Sequence, residues 1–569
     1  MNIILRNLGN DNKVKNVTVM QNETAYDLLK RLYGGEYNKY LLVKINNTIK
    51  ELSYNKFSEN DEIEFLDIKN PDGMRVYIRT LSFIYIKACK ELYEDSEEFQ
   101  DNDYTDQFNS VVTIEHSLNK GLFTEVKINR KLTEEDRVKI KYKMQEIIDR
   151  NININKSMLL IDEARRVFLN QGMEDKLSLL ENLGAEDIRV YELDGYYDMF
   201  YGYVAPNTNV IYKFDLKLFN SGLILQYPSK VNTNEFPEYA EDVKLAKIFK
   251  EAEDWGDIMD VAHVGALNEQ IVNDKVNDLI LVNEALHEKK IVYIADEISD
   301  NEDIKVILIA GPSSSGKTTF AERLSIQLRV NGKKTYSISL DDYFVDREKT
   351  PRDENGNYNF DTIDALDIEL FNDHLLELMQ GNQVQIPTFD FKEGKRIYDK
   401  KPVKLTKDHL IVVEGIHGLN DKLTWHIDTK NKFKVYISAL TQLNIDNHNR
   451  ISTSDTRLIR RIVRDNQYRG HNAQSTMKMW GSVRKGEEKY IFPFQENADA
   501  MFNSSLTYEL GILKKYAVPL IEEVTEESEF YPERQRLLKF LSYFKSIENE
   551  NVIPKTSILK EFIGGGILI

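Results

Sequence analysis

A run of aliphatic residues, Ile304-Lys-Val-Ile-Leu-Ile-Ala310, leads directly into Gly311-Pro312-Ser313-Ser314-Ser315-Gly316-Lys317-Thr318-Thr319, and an amphipathic pattern follows to Arg329. Strand, glycine loop and helix in that order predict an α/β unit built on a parallel sheet. Gly311 and Gly316 allow the backbone turns that let successive N–H groups face one anion. Lys317 places a point charge on the β and γ phosphates, and the Thr318 hydroxyl is a natural Mg²⁺ ligand. The helix that starts at Thr318 aims its positive end at the same phosphates. The spacing predicts a nucleoside triphosphate site over Gly311–Thr319.

With 569 residues, the chain has room for several domains, and its formal charge of −18 argues against a nucleic-acid coat, which needs massed Lys and Arg. The single cysteine, Cys89, sits in the apolar run Phe83–Cys89 and reads as a buried small hydrophobe; an internal disulfide framework is excluded. No stretch approaches the ~20 apolar residues of a membrane span, so a soluble, cytoplasmic protein is expected.

Residues 1–70 alternate as strand, strand, helix, strand, strand, an order that suits a ubiquitin-like roll, with Pro71-Asp72-Gly73 punctuating its end. Residues 71–228 read as a mixed α+β region. Helices are expected at 76–93, 134–150, 158–168 and 175–182, and strands at 197–203 and 210–216. Residues 229–300 read as a helical connector, 301–525 as the α/β unit and 526–569 as a helical tail packed against it. In the α/β unit, strands are expected at 334–340, 409–413 and 433–437.

In an open parallel sheet the carboxyl ends of the strands border the ligand crevice. Two candidate strands end in acids there. Asp341 follows the first, within Asp341-Asp342-Tyr343-Phe344, and Glu414 ends the second. A carboxylate in that place orients or deprotonates an attacking hydroxyl, or holds Mg²⁺; the bland alternative is a helix cap or a solvated loop acid. Downstream, Arg457, Arg460, Arg461 and Arg464 recur at i, i+3, i+4, i+7 opposite Leu458, Ile459, Ile462 and Val463. Such a face is either a solvated charged stripe or a helix that closes guanidiniums over phosphates.

Six ordered segments carry a resemblance. They are the phosphate loop, Asp341–Phe344, Tyr358–Asp361 with Asp364–Asp367, Gln385–Phe391, Glu414-Gly415-Ile416 and Asp455–Asp465. Together they resemble the uridine kinase and phosphoribulokinase group of P-loop kinases over about 304–525. The resemblance implies a phosphotransferase that moves the γ-phosphate of ATP or GTP to the 5′-hydroxyl of a uridine- or cytidine-like nucleoside. Asp341 would be the base, Lys317, Arg461 and Arg464 would attend the phosphates, and Thr318 and Glu414 would organise Mg²⁺. Phe344, Asp361, Phe389 and Arg457 would face the nucleoside. Where pyrimidine-specific relatives carry a base-reading histidine, this chain has Gly394.

The joining segment Asp72–Arg79, then Tyr197-Asp198-Met199 and Pro206-Asn207-Thr208, carry a second likeness: residues 1–228 resemble the first two domains of threonyl-tRNA synthetase, a ubiquitin-like β-grasp (TGS) module followed by an editing-type domain. The editing histidine and cysteine positions fall here on Thr80, Ile84, Phe200 and Val204, none of which binds Zn²⁺ or activates water. His116 invites a remnant-site reading, against which a lone histidine is more often structural. The partners expected are a nucleoside and a nucleoside triphosphate, with a homo-oligomer as the assembly and no membrane. Two other functions fit parts of the chain. One is a GTPase, for which Asp353–Gly356 supplies an Asp-x-x-Gly match. The other is a tRNA- or ribosome-associated switch, which the synthetase-like half favours and the acidic charge opposes.

Overall fold

The computed structural model describes residues 2–6, 14–94, 112–352, 356, 358–406, 408–441 and 443–568. Strands Asn2–Arg6 and Lys15–Thr18 pair antiparallel, and Asn2–Arg6 runs parallel to Glu62–Leu66, which pairs with Leu42–Ile45. A fifth strand, Thr48–Lys50, completes the sheet. Its inward residues, among them Ile3, Leu5, Val43 and Ile63, pack on Leu28 and Leu29 of helix Ala25–Tyr33. That helix starts where Thr24 and Asp27 cap each other's backbone N–H groups, both at 3.1 Å.

Pro71-Asp72-Gly73 does not turn the chain out of this sheet; it opens the long helix Pro71–Tyr93, capped by the Asn70 side chain. Proline in the first turn leaves no hydrogen bond unmade. Gly73 is required by contact, since a Cβ there would lie 2.0 Å from the Asp67 carbonyl oxygen. The following region holds more strand than its pattern suggests. A four-stranded sheet runs in the order Asp215–Phe219, Gly222–Gln226, Gly121–Val126, Val112–Leu118, and Ile154–Leu160, Asp187–Leu193 and Tyr196–Asp198 form another. The segment 158–168, expected as one helix, splits between strand Ile154–Leu160 and helix Ile161–Asn170, because all seven strand residues pair with Asp187–Leu193. Thr80, Ile84, Phe200 and Val204 lie in the core, each no more than 4 % exposed.

The segment expected as a connector forms helices Val243–Ile258, Val264–Val272 and Val276–Asp300. The last lies along the phosphate-loop helix Lys317–Val330, joined by an Arg323–Glu288 ion pair of 2.6 Å, and so is a wall of the α/β unit. That unit is a five-stranded, wholly parallel sheet in the order Lys334–Ser339, His409–Glu414, Val306–Ala310, Lys432–Ser438, Ala500–Asn503. Its central strand, Val306–Ala310, is fully buried, as parallel strands covered on both faces are. One apolar core runs from Ile84 and Phe168 through Leu279 to Ile307, Ile459 and Leu559 in the tail, so the regions share an interior.

The regions are also joined by buried charge. Lys176, fully buried, places its ammonium 3.0 Å from Asp198 and 2.9 Å from Asp446, both fully buried. His448 Nδ1 lies 2.7 Å from the other Asp198 oxygen, and the Asn447 N–H donates to Asp175 at 2.8 Å. Lys176 and Asp198 belong to the N-terminal half, Asp446 to His448 to the loop that follows the fourth strand of the sheet. Burial works against the Lys176 charge, but the carboxylates of Asp198, Asp446 and Asp175 outweigh it and hold the lysine protonated. Burial likewise works against the Asp198 carboxylate, and Lys176 and His448 together bring it down to about 2. Among the described residues no helix is long and apolar enough to cross a membrane.

Candidate active site

The parallel register explains which side chains meet. Glu414 pairs with Ile309 on one side and Ser339 on the other, so its carboxylate leaves the sheet edge between the phosphate loop and the turn that carries Asp341. The phosphate loop begins at Gly311, where a Cβ would lie 2.0 Å from the Ile437 carbonyl oxygen. Ser314 and Gly316 take φ of +59° and +82°, curling the loop into the concavity its sequence implies.

Lys317 folds back to donate to the Pro312 carbonyl at 3.1 Å. Burial lowers its pKa, opposed by Glu414 and Glu561, with Arg464 lowering it and Asp341 raising it further; these five groups form one electrostatic cluster. Thr318 Oγ1 lies 3.3 and 3.2 Å from the two Glu414 oxygens. Desolvation raises the Glu414 pKa; Lys317 counters it, and Asp341 and Glu561 add to it. Asp341 opens onto the cleft, yet the cleft walls desolvate its carboxyl and raise its pKa against the pull of Lys317 and Arg469. Its neighbour Asp342 is committed elsewhere, to Lys400 at 2.8 Å and the Phe389 N–H at 3.3 Å.

The arginine helix, Thr453–Arg469, is not a solvated stripe. Arg457 and Arg460 are at most 1 % exposed. Arg457, expected to face the nucleoside, pairs with Glu487 and donates to the Ser313 carbonyl at 2.9 Å. Arg460 pairs with Glu509 and reaches the Ser314 carbonyl at 3.3 Å. Both therefore fix the back of the phosphate loop. Arg461 donates to Ser313 Oγ at 2.8 Å, and Arg461 and Arg464 are held side by side by the fully buried Asp465, at 3.1 and 3.0 Å. Glu487 and Glu509, the acids that make this arrangement possible, carry no signal in the sequence, because they lie 30 and 49 residues from their arginines.

On the other side of Asp341, Phe344, Phe389 and Phe391 form an aromatic cluster with centroids 5.0 to 6.2 Å apart. Phe344 and Phe389 are buried, whereas Phe391 stands 57 % exposed at the rim. Gly394 sits at φ +70°, and a Cβ there would meet the Arg347 side chain at 2.8 Å, so a histidine does not fit this backbone. Arg347 also donates to the Phe391 carbonyl and fixes the hairpin Thr388–Ile397. Asp361 lies nearby, its pKa raised by burial and by Glu487 against Arg461. The structure thus brings Asp341, Lys317, Thr318, Glu414 and Arg464 together, sets Phe344, Phe389 and Asp361 beside them, and draws Arg457 away into the loop's support. Of the Asp-x-x-Gly match, Asp353 to Asn355 lie outside the described residues. His116 is stacked on Phe249 at 3.6 Å, and burial with Arg450 nearby brings its pKa down to about 3, as for a packing residue.

Residues 306–510 match the model of the Phosphoribulokinase / Uridine kinase family. A uridine kinase of Halobacterium salinarum is 31 % identical over 193 residues, covering 34 % of this chain and 76 % of that protein. A uridine kinase of Brevibacillus brevis is 33 % identical over 199 residues, covering 34 % and 83 %. A solved structure described as a possible uridine kinase from Bacillus stearothermophilus aligns with 35 % of this chain and 89 % of its own at 24 % identity, with a TM-score of 0.23. Parallel sheet, phosphate loop and relatives converge: the chain belongs, through its C-terminal α/β unit, to the phosphoribulokinase and uridine kinase family of P-loop kinases.

Proposed function

We propose that this protein transfers the γ-phosphate of ATP or GTP to the 5′-hydroxyl of a uridine- or cytidine-like nucleoside, uridine being the one in its two relatives' names. The observation that carries the reading is the Asp341 carboxyl, set in one electrostatic cluster with Lys317 and Glu414 at the strand ends and flanked by Phe344 and Phe389. In that arrangement the phosphate-loop N–H groups and Lys317 grip the donor's phosphates, while Arg461 and Arg464 neutralise charge that builds on the transferring group. Asp341 accepts the proton of the attacking hydroxyl. Desolvation raises its pKa against the pull of Lys317, which makes it a better base than a solvated aspartate. The aromatic cluster offers a flat apolar face to a base, and Asp361 an acceptor for sugar hydroxyls.

Mg²⁺ fits the residues present. A hydroxyl and a carboxylate 3.2 Å apart, Thr318 and Glu414, form the sparse oxygen set that a hard divalent cation completes with water and phosphate. When bound there it would neutralise phosphate charge. For the N-terminal half we infer a TGS-like roll over 1–70 and an editing-like domain over 71–228 that binds or regulates without hydrolysis. Its support is the sheet order and the burial of Thr80, Ile84, Phe200 and Val204, none of them a metal ligand or a base, at the four editing positions.

A screen of ribo- and deoxyribonucleosides as phosphate acceptors, read as ADP or GDP release, tests the reading. Nucleoside-dependent release is expected; release that is the same with and without any acceptor contradicts the transferase reading.

A further inference from the structure

The C-terminal tail reaches the phosphate loop and takes a place there that a phosphate should hold. Thr319 is the third residue of the phosphate-loop helix, and in a loop of this kind the first-turn N–H groups face the α and β phosphates. Here the Thr319 N–H and Oγ1 donate instead to one oxygen of Glu561, at 3.3 and 2.9 Å. The Glu561 carboxylate lies in the field of Lys317 and Arg469, a site that selects an anion.

The segment that delivers Glu561 is not loosely apposed. Ile558, Leu559 and Phe562 are fully buried, and the Arg460 guanidinium sits 4.8 Å from the Phe562 ring. Ser557 is tied to Glu284 of the long helix, and the Ile558 side chain fills the space a Cβ on Gly316 would need, 2.6 Å away. After Ile563 the chain turns back across the arginine helix. Gly564 and Gly565 take φ of +83° and +77°, and a Cβ on Gly564 would strike the Gln467 amide at 2.1 Å. That turn closes a cavity beside Thr319 whose walls include Tyr468, Lys555, Lys560, Glu561 and Gly565. The cavity thus lies beside Thr319, whose N–H belongs to the turn that faces phosphates in such loops. Ser314 and Ser315, buried in the loop, have hydroxyls without a hydrogen-bond partner, so the loop offers donors suited to an anion. The family match ends at residue 510, well before this segment.

We propose that the tail segment Lys555–Gly566 forms the α-phosphate and nucleoside side of the donor-nucleotide site, with Glu561 holding the position that the donor's α-phosphate takes on binding. Lys555 and Lys560 supply the charge that the incoming phosphate meets, and Tyr468 a ring beside the nucleoside. Binding is then an exchange of one anion for another on Thr319. The inference rests on the donor half of the reading above, not on the acceptor.

ADP binding to the full chain, measured by calorimetry, tests it. Glu561→Gln keeps the size of the side chain and removes the competing charge, so ADP should bind roughly 3- to 30-fold more tightly. Lys560→Ala should weaken ADP binding by a similar factor, with thermal melting used to verify that both variants are folded. Unchanged or weaker binding in Glu561→Gln overturns the proposal, as does unchanged binding in Lys560→Ala. If the wild-type protein binds no ADP, the donor reading falls as well; ADP binding with no acceptor activity leaves this inference standing and removes only the acceptor half.

Discussion

Replacing Lys176 with methionine keeps its length and removes its charge from a site with no access to water. Two carboxylates, Asp198 and Asp446, would then remain fully buried at distances set for an ammonium 3.0 and 2.9 Å away. At an effective dielectric near 20, each contact has a gross attraction of about 5 kcal/mol, most of it offset by the desolvation of the lysine itself. What decides the net effect is the compensation left behind. Asp446 keeps the N–H groups of His448 and Asn449, at 2.9 and 3.0 Å, and the Asn449 amide, while Asp198 keeps only His448 and the Met199 N–H. Breaking a buried pair from one side typically costs about 3–5 kcal/mol; with Asp446 so well solvated by amides, a loss of about 3 kcal/mol is expected. Urea unfolding followed by tryptophan fluorescence measures it. The double variant Lys176→Met, Asp198→Asn should recover much of the loss, because it leaves one stranded charge fewer. The sign with pH follows from the lowered Asp198 pKa of about 2: its contribution is full above the unfolded value near 4 and disappears as pH falls toward 2. The shift corresponds to about 2 kcal/mol, so the single variant should also be less acid-sensitive than wild type over that window. A Lys176→Met protein within 1 kcal/mol of wild type, with the same acid limb, would refute the electrostatic reasoning.

Two further outcomes follow from the cleft. Asp341→Asn should remove turnover by about 10²-fold or more while ADP affinity holds, and the acid limb of the wild-type kcat/KM profile should lie above the ordinary aspartate range, because Asp341 must be ionised and its pKa is raised. A limb at or below pH 4 contradicts that assignment. Phe391→Ala should raise the nucleoside KM roughly tenfold by removing the exposed face of the aromatic cluster, and leave ADP binding unchanged; equal effects on both ligands would place Phe391 outside the acceptor site.

The parts of the fold that announce themselves in sequence are those whose physics is local. The phosphate loop, the strand at His409–Glu414 and the capped helix at Ala25–Tyr33 each carry their cause within a dozen residues. The strand Ala500–Asn503, four residues long with one buried side chain, exists because Lys432–Ser438 offers it an edge, and no local pattern marks it. Strand Ile154–Leu160 was obscured by its run of Met158, Leu159 and Leu160, which fits either period until the partner strand is known. For the site, the acids at strand ends were legible, since topology places them. The division of labour among the arginines was not. Arg457 and Arg461 occupy one helical face, yet one braces the phosphate loop from behind and the other reaches Ser313 Oγ, and only the distant Glu487 and the nearby Asp465 decide between these fates.

The hidden cluster around Lys176 has a practical corollary. The stretch that matches the family model, 306–510, invites expression on its own, but Asp446 and His448, inside that stretch, find partners in residues 176 and 198. Cut away from its first half, that piece would present Asp446 without its ammonium and His448 without the Asp198 carboxylate, on the loop just upstream of the arginine helix. Swapping in a neighbouring protein's front half would need that lysine and aspartate to come along with it.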